Sequence, residues 1–137
     1  MSKENRKEQR EEAFKTLYSM EIRDEFSKSL AYDFIDDNGF SNSNYKYYLT
    51  IVATFVEHKD EIDGMIDENM SDFRGARLSA IDLSIIRVAL TEIFQMNTID
   101  SIAINEAVLL SKRFSATDQY KVINAFLGDI VRKHAWV

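Results

Sequence analysis

The stretch Leu78-Ser-Ala-Ile-Asp-Leu-Ser-Ile-Ile-Arg-Val-Ala-Leu-Thr-Glu-Ile-Phe-Gln-Met96 decides the fold. Leu78, Ile81, Leu83, Ile85, Ile86, Val88, Ala89, Leu90, Ile93, Phe94 and Met96 cover nearly every face of a helix. A helix that is apolar all round has to be buried all round. The segment is therefore read as a central post over 78–96, and the rest of the chain must supply helices to surround it.

The surrounding segments carry helical periodicity. Residues 4–22 place Ala13, Leu17 and Met20 at i, i+4 and i+7, with Phe14, Tyr18 and Ile22 broadening the stripe. Phe26, Leu30 and Phe34 predict a shorter helix over 26–37, stopped by Asn38-Gly39. Tyr48, Val52 and Phe55 predict a third over 43–57. Ile62, Met65, Ile66 and Met70 predict a fourth over 59–70, followed by a break at 71–77. Beyond the post, 97–100 is a turn, and Ala103, Ala107, Leu110 and Phe114 lie on one stripe of a sixth helix over 101–114. Thr117 is the expected N-cap of a last helix, with Val122, Phe126 and Ile130 on its inner face over 122–131.

Composition agrees with this reading. The 137 residues contain no proline, no cysteine and four glycines. Average usage would give roughly seven prolines and ten glycines, which strand-rich folds place at their corners. The expected fold is all-α, about seven helices in one domain over 1–137. Breaks near 39 and 75 suggest two packed helical subdomains, about 1–75 and 76–137. Without cysteine there is no disulfide, no Cys-ligated metal and no thiol nucleophile. No apolar run is long enough to cross a membrane, and residues 1–15 lack the apolar core of a secretory signal. A soluble cytoplasmic protein is expected.

The net charge of −6 speaks against a general nucleic-acid binder, but it is unevenly spread. Residues 1–73 hold 9 basic and 17 acidic side chains, a net of −8, whereas 74–137 hold 8 and 6, a net of +2. The two ends could therefore form a local basic face. Arg6 and Arg10, with Lys7, project from one side of the first helix and could hold phosphates. The alternative is ordinary surface pairing with Glu11 and its neighbours. Tyr45, Tyr47 and Tyr48 are read as packing residues that could stack on bases. Lys112 and Arg113 suit a helix C-terminus.

Catalysis and metal binding find little support. His58 and His134 are far apart, and no nucleotide loop or catalytic triad order is present. Asp60, Asp63 and Asp67 are read as a solvated helix face. No enzyme activity, cofactor or metal is expected.

Three segments carry a resemblance. The post, the run Ala103-Ile-Asn-Glu-Ala-Val-Leu-Leu-Ser-Lys-Arg-Phe114, and the end Asp118-Gln-Tyr-Lys-Val-Ile-Asn-Ala-Phe-Leu127 resemble the NusB family of transcription antitermination factors. Arg6-Lys-Glu-Gln-Arg10 with Ala13 and Leu17-Tyr18 is similar to that family's start. The resemblance covers the whole chain in order and implies an all-helical, non-enzymatic protein. It implies partnership with the ribosomal protein NusE, binding of boxA single-stranded RNA in ribosomal-RNA leader transcripts, and readthrough within the RNA polymerase antitermination complex. It leaves monomer and homodimer both open.

By motif position, Arg6, Lys7 and Arg10 would contact RNA phosphates, with Lys121 and Val122 along the same path and Tyr18 near it. Asp82 and Asp118 would lie toward the partner. The chain also departs from the family. Glu8 replaces an arginine in the basic run, Val122 replaces a phenylalanine that could stack on a base, and Leu83 replaces an arginine. Ile99-Asp100-Ser101 replaces a Pro-Tyr-Lys turn, and Ala125 replaces a glycine. Weak, steeply salt-dependent RNA binding that needs the partner is therefore expected. A NusB-fold adaptor that has lost RNA binding is the second reading. The RNA-guiding domain of a ribosomal-RNA methyltransferase is a third, but it would need a catalytic domain that 1–137 does not carry.

Overall fold

Seven helices follow one another in the computed structural model, which describes residues 5–70 and 78–134. They are α1 (Arg6–Arg23), α2 (Ser29–Asp37), α3 (Lys46–Glu57), α4 (Lys59–Met70), α5 (Ala80–Gln95), α6 (Asp100–Phe114) and α7 (Gln119–His134). No strand occurs among the described residues. The break at 71–77 lies outside them.

Helix ends follow local chemistry. Asn5 caps α1 by accepting from the Glu8 N–H at 2.9 Å. Asp24, left-handed at φ 53°, closes its other end by donating to Glu21 and Met20 carbonyls. That closure and the Ser27 hydroxyl, which accepts from Ser29 N–H, move the start of α2 from 26 to 29. Similarly, the Ser41 hydroxyl accepts from Asn44 N–H, and α3 starts at 46 rather than 43. Gly39 ends the α2 turn at φ 69°, a conformation open to glycine at little cost.

Helix α7 is longer at both ends than its apolar stripe predicted. Thr117 is not its N-cap. The residue before Gln119 is Asp118, held left-handed at φ 67°, and the turn closes through Gln119 N–H to the Ala116 carbonyl at 3.0 Å.

Helix α5 is the post. It packs against α1, α3, α4, α6 and α7, and every residue from Ser84 to Glu92 is buried. Ile85, Ile86, Val88 and Leu90 meet Leu17, Ile51, Phe55, Ile123 and Phe126 in one core. The stripe Ala103, Ala107 and Leu110 is buried as periodicity predicted.

The post is less apolar than its sequence suggested, because Arg87 and Glu92 are buried within it. Arg87 donates to both Asp63 oxygens at 2.9 Å and to Glu21 at 2.8 Å. The Phe26 and Phe55 rings each lie 5.3 Å from its guanidinium carbon. The expectation that Asp60, Asp63 and Asp67 form a solvated face therefore fails for Asp63, which ties α4 to α5 and also receives Lys59 at 3.0 Å.

Burial alone would raise the Asp63 pKa, but hydrogen bonds from Arg87 and Lys59 outweigh it and hold the carboxyl below its ordinary value. The folded state thus takes up this proton less readily than the unfolded one. The stability it brings is complete above the usual carboxylate pKa of about 4 and is lost as pH falls through the lowered folded value. Asp63→Asn is expected to be less stable than the parent at pH 7, with the difference shrinking toward pH 2. Urea melts across that range measure it, and a pH-independent difference would contradict the ion-pair account.

Candidate nucleic-acid interface

The site is built on the first half of α1 and what it leans against. Arg10 points inward from α1 and is 6% exposed. Its Nε and Nη2 each donate to Glu92 of α5 at 2.8 Å, a two-pronged pair closed to solvent. The Tyr47 hydroxyl of α3 donates to the same carboxylate, and Glu106 of α6 lies 3.5 Å from Arg10 Nη1. Burial would lower the Arg10 pKa, yet the bonds and charge of Glu92 raise it, so the guanidinium stays charged. Burial, with the Glu92 hydrogen bond and charge, raises the Tyr47 pKa.

Arg10 was expected to touch phosphate. Its geometry instead makes it the bolt joining α1, α3, α5 and α6. Arg6 and Lys7 are exposed. The Arg6 guanidinium carbon lies 4.6 Å from the Tyr47 ring centroid, on a ring that Arg10 helps hold. Lys7 reaches Glu106 of α6 at 3.0 Å, and Arg113 of α6 donates back to Glu11 of α1. Burial would raise the Glu11 pKa, but Arg113 and Lys15 lower it. These two pairs lay α1 alongside α6.

Helix α7 continues the surface. The Lys112 and Lys121 ammonium groups lie 4.8 and 6.0 Å from the Tyr120 ring centroid. The resulting surface runs α1–α6–α7 and carries Lys7, Arg113 and Lys121, whose side chains are 67, 59 and 67% exposed. These cations come from both ends of the sequence, and each stands beside a carboxylate: Lys7 by Glu106, Arg113 by Glu11 and Lys121 by Asp118.

The remaining predicted residues are placed variously. Tyr18 is half-buried on α1, two turns beyond Glu11, and Val122 is half-buried on α7. Asp118 is exposed in the α6–α7 turn, 3.9 Å from Lys121 Nζ. Asp82 was expected near the partner-facing surface, but it is 3% exposed. It accepts from Ser79 N–H at 3.0 Å, the Ser115 hydroxyl at 2.7 Å and Gln119 Nε2 at 2.9 Å. It completes a capping box with Ser79 and ties the start of α5 to the α6–α7 turn. Its carboxylate is thus committed to the fold.

Glu92, Glu106 and Tyr120 are site residues that the sequence reading passes over, while Tyr47 proves to be the packing residue it was read as. A glutamate in an otherwise apolar helix was the available signal, because a buried carboxylate requires a partner. Among the described residues no group of three or more His, Cys, Asp or Glu side chains could hold a metal ion, and no helix is long and apolar enough to cross a membrane.

An all-helical bundle that presents exposed cations along three helices, each beside a carboxylate, has the surface of a binding protein. Comparison with known proteins makes this specific. The pattern of the NusB family matches residues 7–132. The transcription antitermination protein NusB of Finegoldia magna is 32% identical over 130 residues, covering 94% of this chain and 95% of that protein. The corresponding protein of Clostridium novyi is 36% identical over 131 residues, covering 93% and 98%. The solved structure of T. maritima NusB superposes with a TM-score of 0.84 at 25% identity, covering 98% of this chain and 95% of that one. The chain belongs to the NusB family. It is a transcription antitermination factor of the NusB type.

Proposed function

We propose that this protein binds boxA-type single-stranded RNA in ribosomal-RNA leader transcripts together with the ribosomal protein NusE, and so promotes readthrough by RNA polymerase. The observation that carries this reading is the α1–α6–α7 face, on which Lys7, Arg113 and Lys121 stand exposed despite the acidic whole. Clustered cations release counterions on meeting a phosphate chain, which drives binding and makes it salt-dependent.

The same face argues for a weak site on its own. Glu106 holds Lys7 and Glu11 holds Arg113, so phosphates must compete with carboxylates already in place. A second reading, a protein adaptor without RNA binding, draws on these ion pairs. Fluorescence anisotropy with boxA RNA, with and without NusE, separates the two. The expected result is weak binding by the protein alone and much tighter, steeply salt-dependent binding by the pair. A pair that binds boxA no better than a scrambled RNA would favour the adaptor.

A further inference from the structure

Between α6 and α7 lies an open groove of about 500 Å³, within the ~300–1,000 Å³ range of ligand clefts. Ile104 and Val108 give it an apolar floor, and Asn105, Asn124, Tyr120 and Lys121 line its polar sides. Asn105 and Asn124 are exposed, whereas Tyr120 is half-buried and so held in place by its surroundings. Two ammonium groups flank its ring, Lys112 Nζ at 4.8 Å and Lys121 Nζ at 6.0 Å.

These parts match the chemistry of an unpaired nucleotide. A ring fixed at the surface offers a stacking face to a base. A carboxamide donates and accepts side by side, which matches the adenine N6–H and N7 edge. Lysines next to the ring reach the phosphates on either side of a stacked base. The lysine contacts with the ring are exposed and therefore weak, so a base can replace an ammonium on the ring face and leave it free for phosphate. Lys7, held by Glu106 next to Asn105, continues the cationic path toward α1.

We infer that this α6–α7 groove is a base-binding subsite. Tyr120 stacks on one unpaired adenine of the bound strand, and Asn105 and Asn124 read its edge. The inference rests on the RNA-binding reading above and adds a position where the RNA is read as a base rather than as a chain of phosphates.

The test uses the protein with NusE and boxA-type RNA in which each adenine in turn is replaced by fluorescent 2-aminopurine. This base keeps the stacking face and N7 but lacks the N6 amine, so it reports stacking alone, while adenine preference is measured with unmodified RNAs. Stacking quenches that fluorophore. In the parent protein and in Tyr120→Phe, one position is expected to be strongly quenched on binding. Tyr120→Leu keeps the apolar bulk but removes the ring. It is expected to lose that quenching and to bind about tenfold more weakly, with the salt dependence unchanged because both lysines remain. Asn105→Ala is expected to shrink the preference for adenine over uracil at that position about tenfold.

Binding that is unaffected by Tyr120→Leu, with no quenching tied to Tyr120, overturns the subsite and leaves the RNA-binding reading intact. Loss of NusE affinity with RNA contacts unchanged would make the groove a protein contact and also overturns it. No RNA binding by the parent pair overturns both.

Discussion

Arg10→Met is expected to lower the unfolding free energy by about 3–5 kcal/mol, the usual cost of leaving one charge of a buried pair without its partner. Glu92 is fully enclosed, and among the described residues the Tyr47 hydroxyl alone would remain to satisfy its carboxylate. Its carboxylate would then have to take up a proton or draw water into the α1–α5 contact. Arg10→Met combined with Glu92→Leu removes both charges and should recover most of the loss, since apolar replacements of a whole buried pair are often neutral. Urea denaturation of the two single variants and the double variant measures the coupling. Additive losses would mean that Arg10 acts through packing of its stem rather than through Glu92. RNA affinity is a further check. If Arg10 is a bolt and not a phosphate contact, the Arg10→Met, Glu92→Leu double variant should leave the salt dependence of RNA binding unchanged, whereas loss of a single-strand phosphate contact would flatten it by about 0.7.

The second large effect concerns the exposed cations. Lys7→Glu with Lys121→Glu should weaken boxA binding by the NusE-bound protein about hundredfold near 0.1 M salt, and should flatten the logarithmic salt dependence by about 1.4, roughly 0.7 for each single-strand phosphate contact. Both side chains are 67% exposed, so stability should change little. Glu106→Gln acts in the opposite sense. It removes the carboxylate that competes for Lys7 and is expected to tighten binding several-fold with the salt slope little changed, because Lys7 already counts among the phosphate contacts. An unchanged slope in the double variant would place the RNA elsewhere on the molecule.

The helices themselves were legible without the structure. Periodic apolar residues and local stop signals specify them, and the forces involved act within a few residues. Helix α4 falls where its pattern predicts, and α5 is enclosed as its apolar surface requires. The ends were harder. Asp24 and Asp118 adopt left-handed conformations that a non-glycine sequence does not announce, and they moved the start of α2 and α7. The resemblance to the NusB family was legible as well, from the order and spacing of its motifs along residues 6–127.

The site was legible only as a set of charged positions. Arg6, Lys7 and Arg10 share a short segment and looked alike, yet two are exposed and one is a buried bolt. Asp63 was grouped with Asp60 and Asp67 by spacing, but it alone meets Arg87. Asp82 resembled a surface acid and proved to be a cap whose oxygens are all engaged. The partners that removed these side chains from the surface lie far along the chain: Glu92 is 82 residues from Arg10, Arg87 is 24 from Asp63 and Ser115 is 33 from Asp82.

Sequence alone thus determined the all-helical class, the central position of 78–96 and the family, since these follow from apolar periodicity and motif order. The tertiary structure decided which charges hold the protein together and which remain for a ligand. A charged side chain on a helix costs the local chain nearly the same whether it ends in water or against a partner. Only the packing of α1 on α3 and α5 removes that water from Arg10 and leaves it around Lys7.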